Sequence, residues 1–204
     1  DKARARLEER LAGEGVSWDW QHFDGSAAQM LVDQGRLADV IVLSQPGDSR
    51  GNDKPLPIAA DVALHSRIPV LAVPSEAARL DCAGPAAVAW NGSAESANAL
   101  RQALPLLALA ASVHLVTVDA DDGKNLPSTA ACRYLSRHGI AAELHEVRRI
   151  DNSAAEAIAA TAEAIGAGYI VMGAYGRSRL REVILGGTTE ALLNRRRLPL
   201  LMAH

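Results

Sequence analysis

Residues 38–43 read ADVIVL and residues 167–172 read AGYIVM, 129 positions apart, and this internal repeat constrains the fold more than any other feature. An Ala-rich helical stretch opened by serine precedes each: Ser26 with Ala27 and Ala28, Ser153 with Ala154 and Ala155. A loop, a helix and a short strand led by proline follow each. Those strands begin at Pro69 and Pro199, offset by 130. A spacing held to one residue over that length is the mark of a duplication. Strands alternating with helices then predict an α/β fold, a Rossmann-like doubly wound parallel sheet present as a tandem repeat. The composition suits helices packed on a buried sheet: 49% of the 204 residues are hydrophobic, mostly Ala, Leu and Val, and only 3% are aromatic.

The second copy, residues 85–204, reads as complete. A short apolar strand at 86–90 is followed by the turn Asn91-Gly92-Ser93. Ser93 is a good N-cap for a helix running to about Leu109, with Glu95 and Ser96 in its first turn. Val113–Val118 is a buried strand, and residues 128–138 form a helix ended by Gly139, the residue best able to close it in a left-handed conformation. An edge-like strand over 140–148, a helix over 153–165, a strand over 168–172, a helix over 188–196 and a last strand complete the copy. The first copy, residues 1–80, begins at what matches the second helix of the other, so its opening strand, helix and strand are missing. Residues 1–75 are too few to close a core alone and are expected to pack on the second copy or on sequence outside this chain. Ala83-Gly84-Pro85 reads as a short linker.

The segment that carries chemistry is Gly173-Ala174-Tyr175-Gly176, nine residues, then Gly186-Gly187-Thr188-Thr189, between a strand and a helix. Glycines let a chain turn sharply and let a ligand approach closely. The unpaired N–H groups that open the following helix, with its dipole, favour an anion there. Thr188 and Thr189 add hydroxyls. In an open parallel sheet the ligand crevice lies beyond the carboxyl ends of the strands, where this loop and Asn91 both fall.

G-x-x-G, nine residues, then G and a small residue resembles the nucleotide loop of ATP-binding universal stress proteins, and VAWNGS at 88–93 is similar to that family's first strand and turn. The resemblance implies binding of ATP or a related adenine nucleotide by a stress-response or regulatory protein. By position, Gly173, Gly176, Gly186, Gly187, Thr188 and Thr189 would line phosphates and ribose. Met172 and Val118 would flank base and ribose, and Val88, Ala89 and Asn91 would meet the adenine side and the ribose or metal. Tandem members pair their last strands into an internal pseudo-dimer, and exposed edges leave room for a homodimer. Two residues depart from the family pattern. Asn91 stands where an Asp is usual, which removes the carboxylate that Mg²⁺ prefers. Gly187 stands where Ser or Thr is usual. Nucleotide binding is therefore the firmer expectation and Mg²⁺ dependence the weaker. Ser44–Pro55, the matching stretch of the first copy, has prolines where N–H donors are needed, so no nucleotide is expected there.

No catalytic residue is expected beyond a slow ATPase at most, because no general base or firm metal ligand is visible. Ser93 lies in no G-x-S-x-G elbow, and no H-I-G-H-like transferase motif occurs. His114 and His145 read as strand residues and His138 as a helix end, and no histidine spacing suggests a metal. Arg177, Arg179 and Arg181 suit either a phosphate clamp or a solvated face. Asp119, Asp121 and Asp122 read as a polar loop. A net charge of −3 gives no pull toward nucleic acid, and Arg195-Arg196-Arg197 fits a helix C-terminus. Two cysteines without metal spacing, no apolar run of roughly 18 residues and a charged start, DKARARLEER, predict a cytoplasmic protein away from membranes. The alternative function is an interaction scaffold whose pocket has decayed.

Overall fold

The computed structural model describes residues 2–45, 58–75, 80–119, 125–174 and 187–204. Its centre is a seven-stranded sheet of β1 (Ile41–Gln45), β2 (Val70–Pro74), β3 (Ala86–Ala89), β4 (Val113–Val118), β5 (Ala142–Val147), β6 (Tyr169–Gly173) and β7 (Leu200–Ala203), in the order β1-β2-β7-β6-β3-β4-β5. The last five strands are mutually parallel in doubly wound order, as expected. β1 and β2 are parallel to each other. The one antiparallel seam joins β2 to β7, with Leu71 opposite Leu201.

Helices cover both faces. On one lie α2 (Ala27–Gln34), α3 (Ile58–His65), α7 (Ala154–Ala164) and α8 (Gly187–Arg195), around a core holding Val62, Val70, Ile158, Ile170, Leu192 and Met202. That core draws on both repeats, so residues 41–72 share their apolar interior with residues 155–202. On the other face α4 (Ala94–Gln102), α5 (Leu104–Leu107) and α6 (Ser128–Arg137) enclose Val88, Leu100, Leu115, Leu135, Tyr169 and Leu201. The helix expected from Ser93 to about Leu109 is in two pieces that meet at Ala103, with Pro105 in the first turn of α5, the place where a missing N–H costs least. Ser93 and Ser153 cap α4 and α7 with their hydroxyl oxygens, accepting from the amides of Ser96 (3.2 Å) and Glu156 (3.3 Å). Gly139 closes α6 at φ +74°, as its position predicts. No helix among the described residues is long and apolar enough to cross a membrane.

Two details go beyond the sequence reading. Ala83-Gly84-Pro85 is tied down: the Asp81 carboxylate accepts from the amides of Ala83 and Gly84 at 3.2 and 3.1 Å, and the Pro85 carbonyl accepts from Gly168 at 2.8 Å. The chain also carries α1 (Lys2–Leu11) and, after it, a stretch without a strand where the repeat would place a counterpart of β5. No strand among the described residues pairs with that stretch as β4 pairs with β5. Val16, Trp18 and Phe23 are exposed there.

Candidate functional site

β3 and β6 are neighbours, with Ala89 beside Met172. The chain leaves β3 into α4 on one face and α8 lies on the other, so the connections diverge beyond the carboxyl ends of these strands, the place where open parallel sheets take their ligands. Val88 (1% exposed) and Met172 (4%) are core side chains, while Ala89 and Val118 are half-buried at the strand ends.

The turn after β3 is anchored from beneath. The Trp90 indole donates to the Leu126 carbonyl at 3.1 Å, and the Leu126 amide donates to the Gly92 carbonyl at 3.2 Å. Gly92 sits at φ +72°, and a side chain there would also strike the Leu126 main chain, so both conformation and space require glycine. Asn91 is exposed, and its Oδ1 accepts from the Ser93 amide at 3.2 Å. With that oxygen engaged in the turn, the exposed side chain presents an amide NH₂, a donor, where an Asp would present its second carboxylate oxygen.

Gly173 closes β6 under the first turn of α4. A Cβ there would stand 2.5 Å from the Ser96 amide nitrogen and 2.6 Å from the Glu95 carbonyl carbon. Helix and strand touch main chain to main chain, which brings Glu95 (7% exposed) and Ser96 (3%) against the carboxyl end of β6. The chain end ties the same region: Asn98 Nδ2 donates to the His204 carbonyl at 2.7 Å, and His204 Nδ1 meets the Ala174 carbonyl at 2.9 Å.

On the opposite side α8 begins at Gly187, and because β7 follows it in parallel with β6, its N-terminus lies at the carboxyl ends of the strands. Gly187 is exposed, and a methyl group added to it would meet nothing within 4 Å. Thr188 is half-buried and Thr189 is buried. The first amides of α8 lack intrahelical partners and carry the positive end of its dipole. Gly176 and Gly186 lie outside the described residues, as do Arg177, Arg179, Arg181, Asp121, Asp122 and the stretch from Pro46 to Pro55.

Asp119, which follows β4, takes φ +49° and accepts from Arg149 Nε at 2.6 Å and from the Arg149 amide at 3.3 Å. The Arg149 hydrogen bond holds its carboxyl below the ordinary value of 3.8. Spacing alone gave no sign of this partner, which arrives from beyond β5. Arg195 and Arg197, read as helix-end cations, are paired: Arg195 with Glu156, and Arg197 with Glu163 at 3.2 Å. These pairs rim a shallow cleft between α7 and α8 at the amino ends of the strands, away from the crevice. Burial raises the thiols of Cys82 and Cys132 above their ordinary value, and neither is in a disulfide.

The universal stress protein family model matches residues 85–204, the strand-turn-helix frame just described. The chain belongs to the universal stress protein family. Among solved structures, a universal stress protein from Archaeoglobus fulgidus DSM 4304 is similar with a TM-score of 0.76 and 21% identity, over 99% of this chain and 74% of that one. A functionally unknown protein from Pseudomonas aeruginosa PAO1 is similar at 0.67 and 20%, over 99% and 76%. At such identities the likeness speaks for the fold. Comparison with curated proteins returns no match. The universal stress protein fold thus brings Ala89, Asn91, Gly173, Thr188 and Thr189 to one end of one sheet, with Val118 and Asp119 beside them on the next strand.

Proposed function

We propose that the crevice between β3 and β6 binds an adenine nucleotide, ATP in the first place, and that the protein acts as a nucleotide-dependent stress-response regulator. The observation that carries the reading is the N-terminus of α8, with Gly187, Thr188 and Thr189, opposite the Asn91 turn across the carboxyl ends of two parallel strands. Phosphates would take the α8 amides and threonine hydroxyls, with Gly176 and Gly186 completing the loop. Val88, Ala89, Val118, Met172 and Gly173 would form the floor. Asn91, its oxygen engaged by Ser93, would donate to ribose or phosphate, so binding would not depend on Mg²⁺. No catalytic group is assigned, and hydrolysis is at most slow.

In the same proposal residues 1–80 are a partial domain without a nucleotide site, residues 85–204 are the binding domain, and the β2–β7 seam makes an internal pseudo-dimer. The unpaired, half-buried thiols suit a cytoplasmic setting.

The test is the nucleotide content of freshly purified protein, with ATP titration of the native chain, Gly186→Val and Asn91→Asp, with and without Mg²⁺. Expected are ATP uptake by the native protein that ignores Mg²⁺, loss of uptake in Gly186→Val, and Mg²⁺-dependent uptake in Asn91→Asp. Native protein that binds no nucleotide at millimolar concentration would overturn the reading in favour of an interaction scaffold of the same fold.

A further inference from the structure

Strands β4 and β5 run parallel with His114 directly opposite Glu143 and Val116 opposite His145. Because side chains alternate along a strand, His114, Glu143 and His145 point to one face of the sheet. Further along, that face carries Val116, Val118 and Val147, which belong to the apolar core under α7. Three metal-ligand side chains therefore gather at the amino end of a face that is otherwise apolar.

The distances among them are short. His114 Nδ1 lies 2.9 Å from His145 Nε2 and 3.6 Å from a Glu143 oxygen, and His145 Nε2 lies 3.7 Å from the other. An ion held tetrahedrally by nitrogen and oxygen at about 2.0–2.2 Å places its ligand atoms roughly 3.3–3.6 Å apart. The triangle observed brackets that separation, with only the imidazole pair needing to open by a few tenths of an ångström. The rings are 40° apart in plane with centroids 5.2 Å apart, so both can aim a nitrogen at one point.

Orientation is already set on one ring. Ser112 Oγ lies 2.9 Å from His114 Nε2. With the proton on Nε2 and donated to that hydroxyl, the Nδ1 lone pair faces Glu143 and His145, as an outer partner does for a metal-bound histidine. The His114 and His145 side chains are 12% and 22% exposed, while Glu143 is 67% exposed. Two desolvated nitrogens and one solvated carboxylate leave the fourth position open to water.

We propose that His114, Glu143 and His145 form a site for one zinc-class divalent transition-metal ion, separate from the nucleotide crevice. Nitrogen and carboxylate oxygen together select late first-row ions over Mg²⁺ and Ca²⁺. On binding, the His145 proton that bridges to His114 moves to His145 Nδ1, and the ion takes both freed lone pairs and the carboxylate, so no net proton release is required. The site stands at the opposite end of β4 from Val118, roughly 13 Å away at 3.3 Å per residue, and does not rest on the nucleotide reading.

The test uses the full chain stripped with a chelator, titrated with Zn²⁺ by calorimetry and with Co²⁺ by visible absorption. One equivalent of Zn²⁺, an intense tetrahedral Co²⁺ spectrum and a rise in thermal midpoint with Zn²⁺ are expected. His145→Ala and His114→Ala should lose affinity by more than the roughly 10–100-fold that outer partners carry, and Ser112→Ala should lose an amount within that range. His138→Ala, at the end of α6, should bind like the native chain. Imidazole proton resonances of the native protein, shifted by Zn²⁺ at two histidines only, give a readout that needs no variant. No Zn²⁺ uptake by the native chain, an octahedral Co²⁺ spectrum, or undiminished uptake in His145→Ala would overturn the proposal.

Discussion

A methyl group on Gly173 would stand 2.5 Å from the Ser96 amide nitrogen, whereas one on Gly187 would meet nothing within 4 Å. Both glycines belong to the sequence motif, yet only the first is demanded by packing. Gly173→Ala should therefore destabilise the protein by about 1–3 kcal/mol, the usual cost of overpacking a close contact. Gly187→Ala should leave stability unchanged or raise it by up to about 1 kcal/mol, since alanine suits a helix better than glycine. Denaturant midpoints of the two variants check the contrast. Tyr169 gives a third expectation. It is fully buried, its hydroxyl has no hydrogen-bond partner among the described residues, and burial holds the proton on it far above neutral pH. Removing an unsatisfied buried hydroxyl relieves its desolvation, so Tyr169→Phe should raise stability by about 1 kcal/mol in the same assay.

At the level of elements, the carboxyl end of the β4–β5 pair is fastened by Asp119 and Arg149. The Asp119 carboxyl titrates below 3.8 because it accepts from Arg149. A depressed carboxyl contributes stability above its unfolded value and loses it as pH falls through the folded one. Protection factors of the last β5 amides, measured against the intrinsic exchange rate at each pH, should thus be steady from neutral pH down to about 4 and fall below it. Arg149→Ala should lower them already at neutral pH. Both partners are well exposed, so the effect stays local. The pairs of Arg195 with Glu156 and of Arg197 with Glu163 tie α7 to α8 and the turn after it at the other end of the fold.

Over the whole molecule, β1 is an outer strand, and the face of it away from α2 and α3 is bare: Val40 and Val42 are 37% and 57% exposed. An open edge carrying apolar side chains invites pairing with another chain. Val42→Lys should leave the circular dichroism spectrum and the thermal midpoint unchanged while lowering concentration-dependent light scattering. Scattering equal to that of the native chain would show that this edge does not drive association.

The alternation of strands and helices, the caps at Ser93, Ser153 and Gly139, and the frame of the candidate crevice could all be read from sequence, because each depends on local chemistry: periodicity, a hydroxyl at a helix start, a glycine where φ must be positive. What the sequence did not contain were contacts between residues far apart in the chain. The stretch after α1 forms no strand where no ladder partner stands beside it among the described residues. The steric need for Gly173 follows from the angle of α4, and the clamp on Asp119 from the length of β5. His114, Glu143 and His145, weak singly and spaced like no metal motif, meet because the register of two parallel strands puts them on one face. The sequence by itself determined most of the elements of residues 85–204 and which chain segments leave the sheet at its carboxyl edge. Which side chains share a point in space was decided by sheet order and register, since those are set by the burial of the whole core rather than by any one segment.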